Sequence, residues 1–135
     1  MPLIDWNDQL SVQVKHIDTQ HKRWIELINN LHDAMKAGQA KDKVADILAA
    51  VVDYTKTHFA EEERMMQTNG YPAFLTHKVL HDTLTKEVFK LQQDYREGKT
   101  VLTMEVMQFL KTWLTNHIQG VDKQYSSFFN AKGIQ

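Results

Sequence analysis

The sequence has no cysteine, only two prolines and five glycines, and no excess of charge of either sign. The absence of cysteine excludes a disulfide scaffold, a thiolate metal site and a cysteine nucleophile. The net charge is −1, with 16 lysines and arginines against 17 acidic residues, so nothing indicates a nucleic-acid partner. The residue type that stands out is histidine, of which the chain has seven.

Long apolar segments are also lacking. The longest run, residues 47–52, has six residues, whereas a membrane-spanning helix needs about 20. The N-terminus has no basic region ahead of an apolar stretch, so no signal peptide is expected. The length of 135 residues suits one domain. We therefore predict a single domain over 1–135 that is cytoplasmic and monomeric and does not insert into a membrane.

The few glycines and prolines separate segments with a helical pattern. Within these segments apolar residues recur every three or four positions, which predicts amphipathic helices and no strands. The predicted helices span about 19–37, 41–67, 73–97 and 103–128. Their short connections predict an all-α, up-down-up-down antiparallel four-helix bundle. Residues 1–18 show no clear period and are predicted to form an N-terminal arm over the bundle, anchored by Leu3, Ile4 and Trp6.

Several ionisable residues occupy positions where the core of a bundle normally has leucine or isoleucine. They are His21, His58, Glu62, His77, His81 and His117. A buried ionisable group is costly unless it is paired or binds a metal. In an up-down-up-down bundle the start of the first helix, the end of the second, the start of the third and the end of the fourth lie at one end. These residues and Asp122 are therefore predicted to converge in one layer of the interior.

The local spacing of these residues agrees with a shared site. His58 and Glu62 on the second predicted helix are four positions apart, as are His77 and His81 on the third. The two members of each pair therefore point from one helix face toward one place. On the fourth, His117 and Asp122 are five positions apart, which is about 140° on an ideal helix. A local distortion near Gly120, or a site wide enough for two metals, would accommodate this spacing.

The ligand set limits the choice of metal. Five imidazoles and two carboxylates exceed the four ligands that zinc usually takes, so they suit two metals with carboxylates able to bridge. Imidazole ligands favour iron, copper, zinc or nickel over magnesium or calcium. Two irons are the natural choice, although spacing alone leaves other metals open.

The order of these residues resembles that of the hemerythrins, and the whole chain is similar to the single-domain bacterial members of that family. The segments that carry the resemblance are Ile17-Asp18-Thr19-Gln20-His21-Lys22, His58-Phe59-Ala60-Glu61-Glu62, Gly70-Tyr71-Pro72 and His117-Ile118-Gln119-Gly120-Val121-Asp122. The resemblance implies two non-haem iron ions per chain that bind O2 reversibly. One iron would be completed by His77, His81 and His117, and the other, with an open position, would be held by His21 and His58. The bridges would be Glu62, Asp122 and an oxo or hydroxo group.

The resemblance also implies an apolar, dry pocket beside the open iron, which would slow autoxidation. Leu114 matches the pocket leucine of the family, and Ile25, Phe59 and Ile118 are further candidates. Near the last predicted ligand, Tyr125 is either an ordinary packed tyrosine or a hydrogen-bond donor to a ligand. The aromatic residues Trp24, Trp113, Phe74 and Phe109 are interpreted as core packing.

The remaining ionisable residues near the motifs are predicted to lie outside the site. His16 is placed in the arm as a solvated residue. His32 follows the first predicted ligand by 11 residues, which is about 16 Å along a helix. Glu61 and Glu63 turn about 100° to either side of Glu62 and are interpreted as surface charges.

The function predicted from these features is not enzymatic. It is reversible O2 binding, for storage or for delivery to an oxygen-consuming enzyme. Sensing of O2, NO or redox state, and di-iron peroxidase or oxidase activity, remain alternatives. Ferritin-like oxidases use paired Glu-x-x-His motifs, which are absent here. A zinc hydrolase is disfavoured because His-Glu-x-x-His is absent and seven ligands are too many.

Overall fold

The computed structural model describes residues 3–99 and 103–135. Two residues of the predicted arm, Met1 and Pro2, and the segment 100–102 before the predicted fourth helix lie outside the described residues. The long helices are Lys15–Lys36 (α1), Lys41–Thr68 (α2), Phe74–Arg96 (α3) and Met104–Asn116 (α4), and a short helix, Ser126–Ala131 (α5), follows them. The described ranges contain no strand, and none of their helices is long and apolar enough to cross a membrane.

The helices form the predicted antiparallel four-helix bundle. Helix α1 packs against both α2 and α4, and α2 packs against α3. The centre of the bundle consists of large apolar side chains with almost no exposed surface. They include Trp24, Ile28, Leu31, Leu48, Val51, Met107, Leu110 and Leu114. Burial of these faces supplies the main stabilisation of helices whose isolated segments would be marginal.

Helix α1 begins at Lys15, four residues before the predicted start. The Asp18 carboxylate accepts hydrogen bonds from the Val12 N–H at 2.8 Å and from the Ser11 hydroxyl at 2.5 Å, which ties the incoming chain to the first turn. The placement of His16 in the arm was therefore wrong, because this residue lies within α1. Its side chain is still 60% exposed, so its predicted contact with solvent holds.

The N-terminal arm lies along the bundle as predicted. Leu3 and Ile4 are buried. The backbone N–H and carbonyl of Ile4 both pair with the side-chain amide of Asn29, at 2.9 Å each. Trp6 is half-buried beneath the Lys22 ammonium, whose nitrogen lies 5.0 Å from the ring centre. The segment before α1 is thus held by apolar anchors and by one amide.

The predicted continuous helix over 103–128 is interrupted. Helix α4 ends at Asn116 and is followed by a π-helical turn, His117–Val121, and a 3-10 turn, Asp122–Tyr125. The backbone N–H of Asp122 donates to the carbonyl of His117, five residues earlier. This is the distortion expected near Gly120, and it falls between two residues predicted to share a site. Insertions of this kind often mark functional positions in helices.

The connection between α2 and α3 places the end of one helix beside the start of the next. Gly70 lies two residues after the end of α2 and has a φ of +70°, a left-handed conformation that glycine adopts without strain. The Tyr71 N–H then donates to the Met66 carbonyl at 2.8 Å. The last turns of α2 and the first turns of α3 consequently lie at the same end of the bundle.

Candidate metal centre

Seven ionisable side chains lie together at one end of the bundle. His21 comes from α1, His58 and Glu62 from α2, His77 and His81 from α3, and His117 and Asp122 from the turns after α4. None of the seven residues is more than 3% exposed. We call them the histidine–carboxylate cluster. The structure therefore brings all seven predicted ligands into one buried layer.

The donor atoms of the cluster form two overlapping groups. In each group, the donor atoms lie within 4.8 Å of one another. The three-histidine group contains His77, His81, His117, Glu62 and Asp122. The two-histidine group contains His21, His58, Glu62 and Asp122. Each histidine belongs to one group, whereas both carboxylates belong to both.

Asp122 lies between histidines of the two groups. Its Oδ1 atom is 3.0 Å from His77 Nε2 and 3.0 Å from His117 Nε2, both in the three-histidine group. Its Oδ2 atom is 3.1 Å from His21 Nε2, in the two-histidine group. Each oxygen of this carboxylate therefore faces a different group.

Glu62 also reaches both groups. Its Oε1 atom is 3.2 Å from His81 Nε2 and 3.4 Å from His58 Nε2. Its Oε2 atom is 3.8 Å from His21 Nε2 and accepts a hydrogen bond from the Tyr125 hydroxyl. Like Asp122, this carboxylate approaches histidines of both groups.

The π-helical turn explains how His117 and Asp122 come together. On a regular α-helix, residues five positions apart diverge by about 140°. The wider turn at His117–Val121 removes much of that divergence and leaves the two side chains 3.0 Å apart, from Nε2 to Oδ1. A regular helix through this segment would turn one of the two away from the cluster.

The protonation states of His58 and Asp122 suit metal binding, whereas His117 would have to release a proton to become a ligand. Burial lowers the pKa of His58 from 6.5 to about 4, so its imidazole is neutral at pH 7. Burial works against the charge of Asp122, but the nearby charge of His117 outweighs it and holds the pKa of Asp122 well below its usual range. The same carboxylate outweighs the effect of burial on His117 and raises the pKa of that imidazole. Metals bind neutral imidazoles and ionised carboxylates.

Some nitrogen atoms of the cluster lie close to a carboxylate oxygen without forming a hydrogen bond to it. His81 Nε2 lies 3.2 Å from Glu62 Oε1, and His117 Nε2 lies 3.0 Å from Asp122 Oδ1. Within the described residues, neither nitrogen has a hydrogen bond of acceptable geometry. Buried polar atoms without a partner are uncommon and call for an explanation such as an ion. Imidazole and carboxylate donors aimed into a shared interior suit non-haem iron, so the residues present fit this group.

Two supporting residues were missed in the sequence. Gln20 Oε1 lies 2.6 Å from His58 Nδ1, and Glu63 Oε2 lies 3.1 Å from His81 Nδ1. The interpretation of Glu63 as a surface charge was wrong, since its side chain is only 18% exposed. The available signal is position: Glu63 directly follows Glu62 on α2, and its side chain reaches His81 on the neighbouring α3.

Glu61, on the other side of Glu62, is a surface charge as predicted. It accepts a hydrogen bond from Arg64 Nη2 at 2.9 Å and lies 3.4 Å from His16 Nε2.

His32, which was predicted to lie outside the site, is buried at 4% exposure. Neither of its ring nitrogens has a hydrogen bond among the described residues, and it belongs to neither donor group.

Aromatic rings pack directly against the imidazoles. The ring of Phe59 stacks on His81, with centroids 3.8 Å apart and planes within 7°. The ring of Trp24 lies 5.1 Å from that of His58. Packing of this kind restricts the orientation of the imidazole planes.

The interpretation of Phe109 as core packing was wrong, since this residue is 45% exposed.

The residues predicted to line an O2 pocket are all buried. Exposure is zero for Leu114 and Ile118, 3% for Phe59 and 4% for Ile25. A separate apolar cavity of about 370 Å³ opens between α3 and α4 and reaches His117. Its wall includes Leu80, Leu84, Phe109 and Trp113, and none of the four predicted pocket residues lines it.

Tyr125 supports the cluster from within the core. It is fully buried, and its hydroxyl donates to Glu62 Oε2. Burial, followed by the nearby charges of Glu62 and Asp122, raises the pKa of Tyr125 well above its usual value, so the hydroxyl stays protonated and remains a donor. Of the two interpretations left open in the sequence, the structure selects the hydrogen-bond donor.

Tyr125→Phe is expected to lower the free energy of unfolding by about 1.5–3 kcal/mol, because it leaves a buried carboxylate oxygen without its donor. Tyr54→Phe provides the matched control. The Tyr54 hydroxyl donates to a neutral acceptor, the backbone carbonyl of Gln20, at 2.9 Å, so a loss of about 0.5–1.5 kcal/mol is expected. Denaturant titration measures both values. A loss in Tyr125→Phe no greater than that in Tyr54→Phe would contradict the charged hydrogen bond.

Comparison with known proteins gives a consistent result. The family model described as "Hemerythrin HHE cation binding domain" matches residues 12–128. A protein named Bacteriohemerythrin from Stenotrophomonas maltophilia is 38% identical over 93% of this chain and 81% of its own length. One of the same name from Methylococcus capsulatus is 34% identical over 97% of this chain and its whole length. A crystal structure of wild-type hemerythrin superposes with a TM-score of 0.87 at 34% identity, covering 93% of this chain and 96% of that one.

Proposed function

Because the chain belongs to the hemerythrin family, we propose that it binds O2 reversibly at a non-haem di-iron centre held by the histidine–carboxylate cluster. The proposed setting is a cytoplasmic monomer that stores O2 or delivers it to an oxygen-consuming enzyme, without itself being an enzyme. The observation that carries the proposal is the pair of donor groups that share two buried carboxylates. One ion would leave several of these donors unused.

The proposed ligands divide between the two irons by donor group. His77, His81 and His117 would hold one iron, and His21 and His58 would hold the other. Glu62 and Asp122 would bridge both. When bound, the two irons would supply the electrons that O2 binding requires and recover them on release. The two-histidine group offers fewer protein donors, so the position open to O2 is proposed to lie there.

The protein's own contribution is to hold the donors in place and to exclude water. All seven side chains are buried, and the rings of Trp24 and Phe59 pack against the imidazoles of His58 and His81. A dry apolar surrounding slows the loss of charged products and the entry of protons. We propose that the O2 pocket is formed by Leu114, Ile25, Phe59 and Ile118, all of which are buried.

The donor composition favours a carrier over an oxidase. Five imidazoles, which bind metals in their neutral form, against two carboxylates would stabilise the ferrous state better than a carboxylate-rich set, because fewer anionic ligands favour the ferric ion. Reversible binding requires that the ferrous state be recovered each time O2 leaves.

Anaerobic reconstitution with ferrous iron, followed by alternating O2 and argon, tests the proposal. The iron content should reach about two ions per chain, and a ligand-to-iron absorption band should appear under O2 and disappear under argon over many cycles. A single irreversible change with release of peroxide would instead indicate an oxidase. Saturation at about one ion per chain would contradict the shared-carboxylate centre.

A further inference from the structure

The two donor groups differ in the residue that supports them from outside. In the three-histidine group, His81 Nδ1 faces the carboxylate of Glu63, at 3.1 Å from Oε2. In the two-histidine group, His58 Nδ1 faces the amide oxygen of Gln20, at 2.6 Å. One support is anionic and the other is neutral.

Glu63 is held in a defined position. It directly follows Glu62 on α2, and its side chain is only 18% exposed. Its second oxygen, Oε1, lies 3.5 Å from the ammonium of Lys78, which is on α3 one turn before Asp82 and also approaches that residue's carboxylate at 3.3 Å. The carboxylate of Glu63 is thus fixed between His81 and a lysine of the same neighbouring helix.

The contact with Glu63 determines which nitrogen of His81 carries the proton. An ionised carboxylate can only accept a hydrogen bond, so Nδ1 of His81 must be the donor. Nε2 then has a free lone pair, and this is the nitrogen that lies 3.2 Å from Glu62 Oε1 within the cluster. The stacked ring of Phe59 restricts the plane of the same imidazole. His81 is therefore set in the tautomer and orientation that a metal requires.

Gln20 orients the imidazole of His58 as Glu63 orients that of His81, but it carries no charge. Its amide oxygen faces His58 Nδ1, while its amide nitrogen lies 3.1 Å from Nε2 of the exposed His16. The amide therefore points its oxygen inward and its nitrogen outward. The difference between the two halves of the cluster lies in the charge of the support and not in its presence.

We propose that Glu63 is a positioning residue that makes the three-histidine half of the centre the more electron-rich half. A carboxylate that accepts a hydrogen bond from a metal-bound imidazole raises the basicity of that ligand, and its negative charge stabilises the higher oxidation state of a nearby ion. The consequence is a lower reduction potential for the iron held by His81 than for the iron held by His58. This inference rests on the proposed di-iron centre.

Glu63→Gln tests the proposal because it keeps the size and a hydrogen-bond acceptor but removes the charge. We expect about a tenfold weaker preference for ferric over ferrous iron, which is a positive shift of about 59 mV in a one-electron potential. Redox titration of the iron-loaded protein measures the shift. In Mössbauer spectra of the protein loaded with ⁵⁷Fe, the signal of one iron should change while that of the other stays.

Two further variants show whether charge at this position is the cause. Glu61→Gln removes a charge two residues away on the same helix, where the side chain contacts Arg64 and His16, and should leave the potential unchanged. Gln20→Glu adds a charge to the other half and should shift the potential in the negative direction. Thermal unfolding of the iron-free forms checks that the fold is kept.

The outcomes separate this inference from the proposed function. A wild-type protein that does not take up two irons would refute the di-iron centre itself. A wild-type protein with two irons whose Glu63→Gln variant has an unchanged potential would overturn the role of Glu63 alone. Shifts of Glu63→Gln and Gln20→Glu in the same direction would also overturn it, because opposite changes of charge must act with opposite sign.

Discussion

Replacing His117 with alanine is expected to lower the affinity for iron by more than about 100-fold and to abolish reversible O2 binding. Loss of a residue that only supports a metal ligand already costs about 10–100-fold, and His117 is placed to be a ligand itself. Its Nε2 lies 3.0 Å from Asp122 Oδ1 and belongs to the three-histidine donor group. Iron analysis after anaerobic loading, together with O2-dependent absorption, measures the effect.

His32→Ala is the matched control for this substitution. It removes the same side chain from a position that is also buried, at 4% exposure, and outside both donor groups. We expect iron content and O2 binding close to those of the wild type. The new cavity should instead appear as a loss of stability. Equal losses of iron in both variants would show that His117 acts through the fold and not as a ligand.

The placement of the cluster could be predicted because it depends on regular geometry. Pairs four residues apart point the same way on any α-helix, and antiparallel topology brings alternate helix ends together. The faces of α2 and α3 that carry the cluster could therefore be predicted without knowing how the helices pack in detail. His32 could be set apart by its distance along the helix, and His16 was set apart by its placement ahead of the predicted helix; both lie outside the donor groups.

Departures from regular geometry were harder to predict. The start of α1 at Lys15 could not be predicted from periodicity. The incoming chain is tied to the first turn by hydrogen bonds to Asp18, and such bonds leave no repeating apolar pattern in the sequence. The distortion after Asn116 could be anticipated from the five-residue spacing of His117 and Asp122. Its form could not, since a π-helical turn followed by a 3-10 turn is one of several ways to redirect a helix.

Contacts between helices account for the other errors. Whether Glu63 is a surface charge or a support for His81 depends on how closely α2 approaches α3, which periodicity does not specify. The same limit applies to Phe109. It lies on α4 beside an open apolar cavity between α3 and α4, so it remains partly exposed. In both cases the sequence identifies the helix but not the depth of the side chain.

The carboxylates of the cluster are also expected to make the stability of the fold depend on iron. Glu62 and Asp122 have no exposed surface, and the influence of neighbouring histidines lowers the pKa of each despite the opposing effect of burial. Both therefore carry negative charge in the interior at neutral pH. Only some of this charge can be balanced by protons, because burial keeps His58 neutral by lowering its pKa to about 4.

Removal of iron is accordingly expected to lower the free energy of unfolding by about 3–5 kcal/mol, the usual cost of leaving a buried charge without its partner. Denaturant titration of the iron-loaded protein, with and without prior treatment with a chelator, measures this difference. A variant that combines Glu62→Gln and Asp122→Asn should bind little iron, so chelation should not change its stability. A wild-type protein that is equally stable with and without iron would mean that protons alone balance the two carboxylates, and that the cluster is not organised around metal.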